Sequence, residues 1–287
     1  MRLAIGTAQF GSAYGVANRG GRVPPTEVGR VLEIAREHKI DTLDTAIAYG
    51  ESETLLGKIG VNDWNIITKI PPLPDVCLDV RAWILQEVHN SLKRLRISRL
   101  SGVLLHRAED ILGDRHKEVS LALDAIKEQG LADKVGFSIY SPNLLPELLK
   151  VHHPDMVQAP LNILDQRLVA TGWLDRLNSA DIIVHARSVF LQGLLLMQPS
   201  NMPTYFKQWN DLWTRWLDFV DANGKDPLAI CLGFVRAQAG VSRIVVGVDS
   251  EAQFRELLIA YHSPVIGDAA ILSSSDPVLL EPYNWKS

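Results

Sequence analysis

Cysteine is scarce in this chain. Two occur among 287 residues, Cys77 and Cys231, far apart in sequence. That spacing excludes a disulfide framework and a metal site of closely set thiols. The expected place for both thiols is the interior. An excess of positive charge is also lacking. Lys and Arg total 29 against 33 Asp and Glu, a net charge of −4, with a pI near 6.1. General nucleic-acid binding and attraction to anionic membranes are therefore not expected. No apolar run reaches the length that spans a bilayer. No charged stretch with a following apolar core and cleavage site precedes Leu3, so the expected location is cytoplasmic. The histidines form no metal-like cluster. His152-His153 precede Pro154 as in a surface turn, and His185 falls in a strand as a core or second-layer residue. Ser138 lacks the Gly-x-Ser-x-Gly context of a hydrolase nucleophile.

What the chain does have is apolar content, 47% of its residues, ample for one large core. Its length fits two average domains or one α/β barrel. Short apolar segments, mostly β-branched, alternate with amphipathic ones. Strands are predicted at Leu3–Ile5 (ending at Gly6-Thr7), Thr42–Asp44, Trp64–Thr68 (ending in Lys69) and Leu100–Leu105 (ending in His106). Four more follow at Val135–Phe137, Met156-Val157, Ile182–Val184 and Arg243–Val246, running out at Ser138, Gln158, Arg187-Ser188 and Gly247. Helices are predicted from Glu27 to about His38, Ser52–Ile59, Val80–Leu95 and Arg115–Gln129, the last closed by Gly130. Others open at Pro142-Asn143 and span about Gln166–Asn178. Either Thr26 caps the first helix or Pro25 marks its start. Such alternation implies a parallel sheet with both faces buried. Eight units suggest closure into a (β/α)8 TIM barrel, with residues 1–287 as one domain. An open doubly wound sheet is the alternative, disfavoured because no G-x-G-x-x-G follows the first strand.

Two stretches break the spacing. In Met197–Pro227, Trp209, Trp213 and Trp216 fall at helical spacing, as expected of a helix packing an aromatic face on the barrel wall. The tail His262–Ser287 either covers the barrel mouth or packs outside it. No residues precede Leu3 that could form a plugging hairpin, so another part of the chain is expected to cover the barrel bottom.

Parallel barrels work at the C-terminal ends of their strands. Asp44, with Tyr49 just beyond it, Lys69 and His106 end three successive predicted strands. An acid, a phenol, an amine and an imidazole therefore converge at one rim if those strands are neighbours. Asp44-Thr45-Ala46-Ile47-Ala48-Tyr49-Gly50-Glu51-Ser52-Glu53, with Leu56-Gly57 after it, resembles the aldo-keto reductase signature around its catalytic Asp and Tyr. Ile67-Thr68-Lys69 and Leu104-Leu105-His106 resemble that family's Lys and His strands. The resemblance runs from Gly6-Thr7 to about Leu258. It implies an NAD(P)H-dependent oxidoreductase that reduces an aldehyde, ketone or sugar carbonyl to an alcohol, or runs the reverse. Tyr49 would donate the proton, and Lys69 would lower its pKa. Asp44 would hold Lys69, and His106 would orient the carbonyl oxygen.

The same resemblance assigns cofactor contacts. Gly6 and Thr7 end the first strand. Ser138 and Gln158 would hold the nicotinamide carboxamide, while Ile139 stands where the family has Asn. Arg187 occupies the place of an aromatic that stacks on the nicotinamide, and a planar guanidinium can stack likewise. Its charge would disfavour the oxidised cofactor. Ser188, the backbone near Leu191, and Gly193 would face the pyrophosphate. Gly247, Ser250, Gln253 and Glu256 match the adenosine-phosphate loop, with Ser250 opening a helix where an anion is favoured. The family's NADP(H) is the expected cofactor. NAD(H) is the alternative, because Asp249 and the lack of Lys or Arg at Gly247, Asp249 and Gln253 disfavour a 2′-phosphate. Two other functions stay open: a slow-turnover nucleotide-sensing subunit, and a non-redox barrel lyase or epimerase using Lys69 and Tyr49. The expected partner is a small-molecule carbonyl or sugar, with no nucleic acid or membrane.

Overall fold

In the computed structural model, which describes residues 1–264 and 268–285, eight parallel strands close on themselves. They are β1 (Leu3–Gly6), β2 (Thr42–Asp44), β3 (Asn65–Ile70), β4 (Gly102–Leu105), β5 (Val135–Ser138), β6 (Met156–Pro160), β7 (Ile183–Arg187) and β8 (Arg243–Gly247). Each pairs with its sequence neighbours, and β8 pairs with β1 to complete the barrel. The expected (β/α)8 closure is the one observed, and the open sheet is excluded.

Alternate residues of a strand face opposite ways. One set, including Ile5, Leu43, Ile66, Val103, Phe137, Val157, Val184 and Ile244, packs with the helices in the main core. The other set faces the barrel axis. There Ile67, Leu104 and Met156, with Ile183 against them, form a separate apolar cluster. Glycine makes room for it: a Cβ on Gly136 would lie 1.8 Å from the Met156 carbonyl oxygen. The period of two then carries each axis-facing strand from this plug to the rim. Ile67 is followed by Lys69, Leu104 by His106, Gly136 by Ser138, Met156 by Gln158, and Ile183 by His185 and Arg187. At the opposite end, Arg243 reaches across to Thr42 Oγ1 (3.1 Å) and pairs with Asp41 (3.2 Å). The plug fills the barrel axis below the rim, and this partly exposed ion pair ties β8 to the start of β2.

The helices are α1 (Ala8–Gly11), α2 (Pro25–Glu37), α3 (Ser52–Ile59), α4 (Val80–Leu95), α5 (His116–Glu128), α6 (Leu145–Val151), α7 (Arg167–Ala170) and α8 (Trp173–Ser179). They continue with α9 (Asn210–Asn223), α10 (Pro227–Ala237), α11 (Glu251–Tyr261) and α12 (Pro277–Leu280). Helix α2 starts at Pro25, with Pro24 before it, and Thr26 is not its cap. A proline at the first position has a suitable φ and no N–H left unpaired. The helix expected over Gln166–Asn178 is two, α7 and α8, separated where Gly172 adopts a left-handed φ of 72°. Gly130, also left-handed, follows α5 as expected.

Helix α9 carries the tryptophan stripe inward. Trp213 Nε1 donates to Phe206 O at 2.8 Å, and Trp216 Nε1 to Leu195 O at 3.3 Å. Trp209 precedes the helix and donates to Asp276 at 2.8 Å. The described part of the tail lies beside the mouth without lining the cavity. Trp285 meets Phe206 edge-on at 4.8 Å, and Tyr283 meets Tyr140 at 4.9 Å. Residues 265–267 and 286–287 of that predicted tail lie outside the described residues.

Candidate active site

The centre of the site is a buried ion pair between two neighbouring strands. Lys69 Nζ donates to Asp44 Oδ1 at 2.7 Å and to Thr45 O at 2.8 Å. Their side chains are 1% and 5% exposed, so neither charge is shared with water. Gln158 Nε2 donates to the other carboxylate oxygen, Asp44 Oδ2, at 2.5 Å. The strand end itself is braced. Thr7 donates from Oγ1 to Asp44 O at 3.1 Å and from its backbone N–H to the same oxygen at 2.9 Å. Ser52, at the start of α3, donates to Thr7 at 2.8 Å. Glu53, one residue on, belongs to the scaffold. It accepts from Thr68 (2.6 Å) and Ser91 (2.7 Å) with one oxygen and from Arg94 (2.8 Å) with the other. Gly57 lets α3 lie against α4, since a Cβ there would be 2.0 Å from Arg94 O. Much of the sequence motif around Asp44 is therefore packing that fixes the carboxylate.

Above the pair opens a cavity of about 690 Å³ at the C-terminal rim. Tyr49 and His106 face it, their rings edge-to-face at 5.7 Å, with Lys69 Nζ 5.2 Å from the Tyr49 ring centre. Burial pushes the Tyr49 phenol above the ordinary tyrosine value, Asp44 adds to this, and the Arg187 guanidinium opposes it. The Tyr49 phenol is thus protonated at neutral pH. The charge of Lys69 is spent on Asp44, and Arg187 is the cation acting on the phenol. Burial lowers Lys69, and Asp44 only partly restores it. His106 is depressed to about 4 by burial, then by Lys69 and Arg187, so its imidazole is neutral and carries one N–H.

The cavity brings together Gly6, Thr7, Asp44, Tyr49, Lys69, His106, Ser138, Gln158, Arg187, Ser188, Gly193, Gly247, Gln253 and Glu256. Two sequence-expected residues are not in the cavity lining. The Leu191 side chain is buried in the core, while the expectation there concerned its backbone. Ser250 is not in the lining; its hydroxyl oxygen caps α11, accepting from Gln253 N at 3.2 Å, and its O–H is left to donate.

Sequence reasoning missed Tyr14 and Tyr140, which both line the cavity. Tyr140 carried one signal, an aromatic two residues past β5, whereas Tyr14 lies beyond α1 and carried none. Tyr14 O–H accepts from Gln192 at 3.3 Å. Tyr140 carries the Arg187 guanidinium over its ring at 4.3 Å. The backbone of Tyr140 is held by Arg167 at 3.0 Å, and Arg167 is itself bound to Asp165 and Glu281, each at 2.8 Å. The tail thus steadies the mouth through Glu281 and Tyr283.

Among the described residues two buried acceptors in the cavity wall have no partner: Gln158 Oε1 and Asp249 Oδ1. Among the described residues no group of three or more His, Cys, Asp or Glu is set to hold a metal ion.

The closed barrel thus holds a buried acid–amine pair beneath a phenol and an imidazole, the four groups that the sequence placed at one rim. A model of the aldo/keto reductase family matches residues 2–269, and the chain belongs to that family of oxidoreductases. It is similar to the uncharacterized oxidoreductase YqkF of Bacillus subtilis (strain 168), with 24% identity over 246 residues and 79% of each chain covered. Its fold is shared by the aldo-keto reductase AKR11C1 of Bacillus halodurans in its holo form. That match has a TM-score of 0.76 and 20% identity, covering 99% of this chain and 95% of the other. A crystal structure assigned as an aldo-keto reductase of Pseudomonas aeruginosa gives a TM-score of 0.68 at 23% identity, with 91% and 89% covered.

Proposed function

We propose that this protein reduces a small-molecule aldehyde, ketone or sugar carbonyl to an alcohol with NAD(P)H, and can run the reverse. The observation that carries this is the convergence of Tyr49, His106 and the buried Asp44–Lys69 pair on one cavity. The reduced nicotinamide, when bound, supplies the hydride. His106, neutral, donates its N–H to the carbonyl oxygen and orients it. Tyr49 gives its proton to that oxygen as negative charge develops there. Arg187 stabilises the phenolate left behind, and Asp44 keeps Lys69 charged in a dry site.

The residues present fit a dinucleotide. Because Gln158 donates its amide to Asp44, its Oε1 is left as a buried acceptor suited to a carboxamide N–H. Ser138 lies on the strand beside it. Arg187 takes the place beside the nicotinamide that its alignment gives. Ser188, Gly193 and the backbone at Leu191 serve the pyrophosphate. Gly6, Thr7, Gly247, Gln253 and Glu256 serve the rest of the cofactor, and Ser250 orders the first turn of α11 there. The second orphan, Asp249 Oδ1, is an acceptor for a ribose hydroxyl and repels a 2′-phosphate. The family generally uses NAD(P)H, and in this chain we propose that NADH is accepted. A cytoplasmic location completes the proposal, with no nucleic-acid or membrane partner. Among the described residues no helix is long and apolar enough to cross a membrane.

The test is tryptophan fluorescence of cofactor-free protein titrated with NADPH and, separately, NADH. Saturable quenching by either, followed by its oxidation when an aldehyde is added, is the expected result. Absence of binding by both would return the site to non-redox barrel chemistry.

A further inference from the structure

Among the described residues Arg187 is a cation without a counter-ion. Its guanidinium is fixed at the cavity wall in three ways. Nη2 donates to Ile139 O at 2.9 Å, Nη1 donates to Ser188 Oγ at 3.0 Å, and one face lies on the Tyr140 ring at 4.3 Å. None of these groups is an anion. The nearby carboxylates are already committed. Both oxygens of Asp44 are taken by Lys69 and Gln158, and both oxygens of Asp165 by Arg167. Among the described residues Arg187 makes no salt bridge, whereas Lys69 and Arg167 at the same rim each make one or more. With His106 neutral and Asp44 cancelling Lys69, the reaction end of the cavity carries one net positive charge.

A guanidinium has five N–H donors in a planar fork. Two are used within the protein, so the rest of the fork is spare. That geometry matches the two oxygens of a carboxylate, and such charge-assisted pairs are roughly twice as strong as neutral ones. A cation held in place beside a phenol and an imidazole, with no anion of its own, is complementary to a ligand that brings one.

We propose that the substrate is a carbonyl compound bearing a carboxylate, whose anion is bound by Arg187 while His106 and Tyr49 hold its carbonyl. This rests on the reductase reading above and adds the substrate class to it. The reaction balances unchanged. The carbonyl carbon gains a hydride, its oxygen gains the Tyr49 proton, the nicotinamide is oxidised, and the carboxylate takes no part. The competing source of an anion is the cofactor's own diphosphate, reached through the neighbouring Ser188.

The experiment compares pairs of equal length, 4-oxobutanoate with butanal and 5-oxopentanoate with pentanal, in the full-length protein with its bound cofactor. The expected result is a kcat/KM at least tenfold higher for the charged member of one or both pairs. In Arg187→Gln this charged-to-neutral ratio falls by about 10- to 100-fold. Arg187→Lys, which keeps the charge and loses the fork, falls between. Fluorescence titration of NADH and NADPH into the same variants separates the two anion sources. A ratio that survives in Arg187→Gln while cofactor affinity drops would give the guanidinium to the diphosphate and overturn the proposal. Equal turnover of charged and neutral aldehydes by the unaltered protein would also overturn it. Failure to reduce any aldehyde, charged or neutral, would instead remove the reductase reading on which it stands.

Discussion

Replacing Lys69 by Met tests the buried ion pair as both scaffold and machinery. Met matches the length of the side chain but removes its charge. Asp44 is then left as a carboxylate 5% exposed, with only the Gln158 amide for company. Removing one partner of a buried pair costs about 3–5 kcal/mol, because the remaining charge is desolvated and uncompensated. For a chain of this size about 2 °C of melting temperature accompanies each kcal/mol, so thermal unfolding should move down by about 6–10 °C. The double variant Asp44→Asn with Lys69→Met removes the stranded charge and should recover most of that loss, since a neutral pair of similar volume is often tolerated. Turnover should not recover. In Lys69→Met, Asp44→Asn and the double variant alike, kcat should fall by about 10²-fold or more. The assays are thermal unfolding by circular dichroism and aldehyde-dependent oxidation of NAD(P)H. A Lys69→Met variant melting within 2 °C or so of the parent would show that the pair is not the desolvated one described. Recovery of turnover in the double variant would reduce Asp44 and Lys69 to scaffold.

Tyr49→Phe should lower turnover by about 10²-fold or more while leaving cofactor affinity within about twofold, and near-normal turnover would refute Tyr49 as the acid. Asp249→Asn should raise the NADPH-to-NADH affinity ratio by about tenfold, a difference of about 1.4 kcal/mol, measured by fluorescence titration. An unchanged ratio would mean that Asp249 does not face the 2′ position. His185, buried on the barrel axis, is depressed from 6.5 to about 4, first by burial and then by Arg243, Lys69 and Lys134, with Asp44 opposing. Between those values the unfolded chain holds a proton that the folded one does not. Its contribution to stability is therefore complete above about pH 6.5 and lost as pH falls to about 4. Urea unfolding of His185→Leu should accordingly depend less on pH across that window than the parent does. Identical slopes would show that His185 titrates normally in the fold.

The barrel was legible because its strands are short, doubly buried and separated by helices of regular spacing. Asp44, Lys69, His106, Ser138 and Gln158 also lie at or near the ends of strands, where sequence and cavity coincide. Boundaries were less legible where local chemistry allows two solutions. Pro25 replaced Thr26 as the start of α2, and Gly172 divided one expected helix into α7 and α8. The cavity's aromatics were missed because Tyr14 and Tyr140 lie in loops, whose direction no periodicity reports.

By itself, the sequence determined the eight strands and the alternation that sends Lys69, His106, Ser138 and Gln158 to the same side of the sheet as the apolar plug. Those are local properties of a pleated chain. Only the tertiary structure decided which polar groups are already spent. Gln158 is committed to Asp44 from 114 positions away, and Thr7 to the Asp44 carbonyl from 37 positions away. It also decided that Arg187 rests on Tyr140 and makes no salt bridge among the described residues. A hydrogen bond or an unpaired charge depends on which distant segments are brought within about 3 Å, and that distance is set by closure of the barrel.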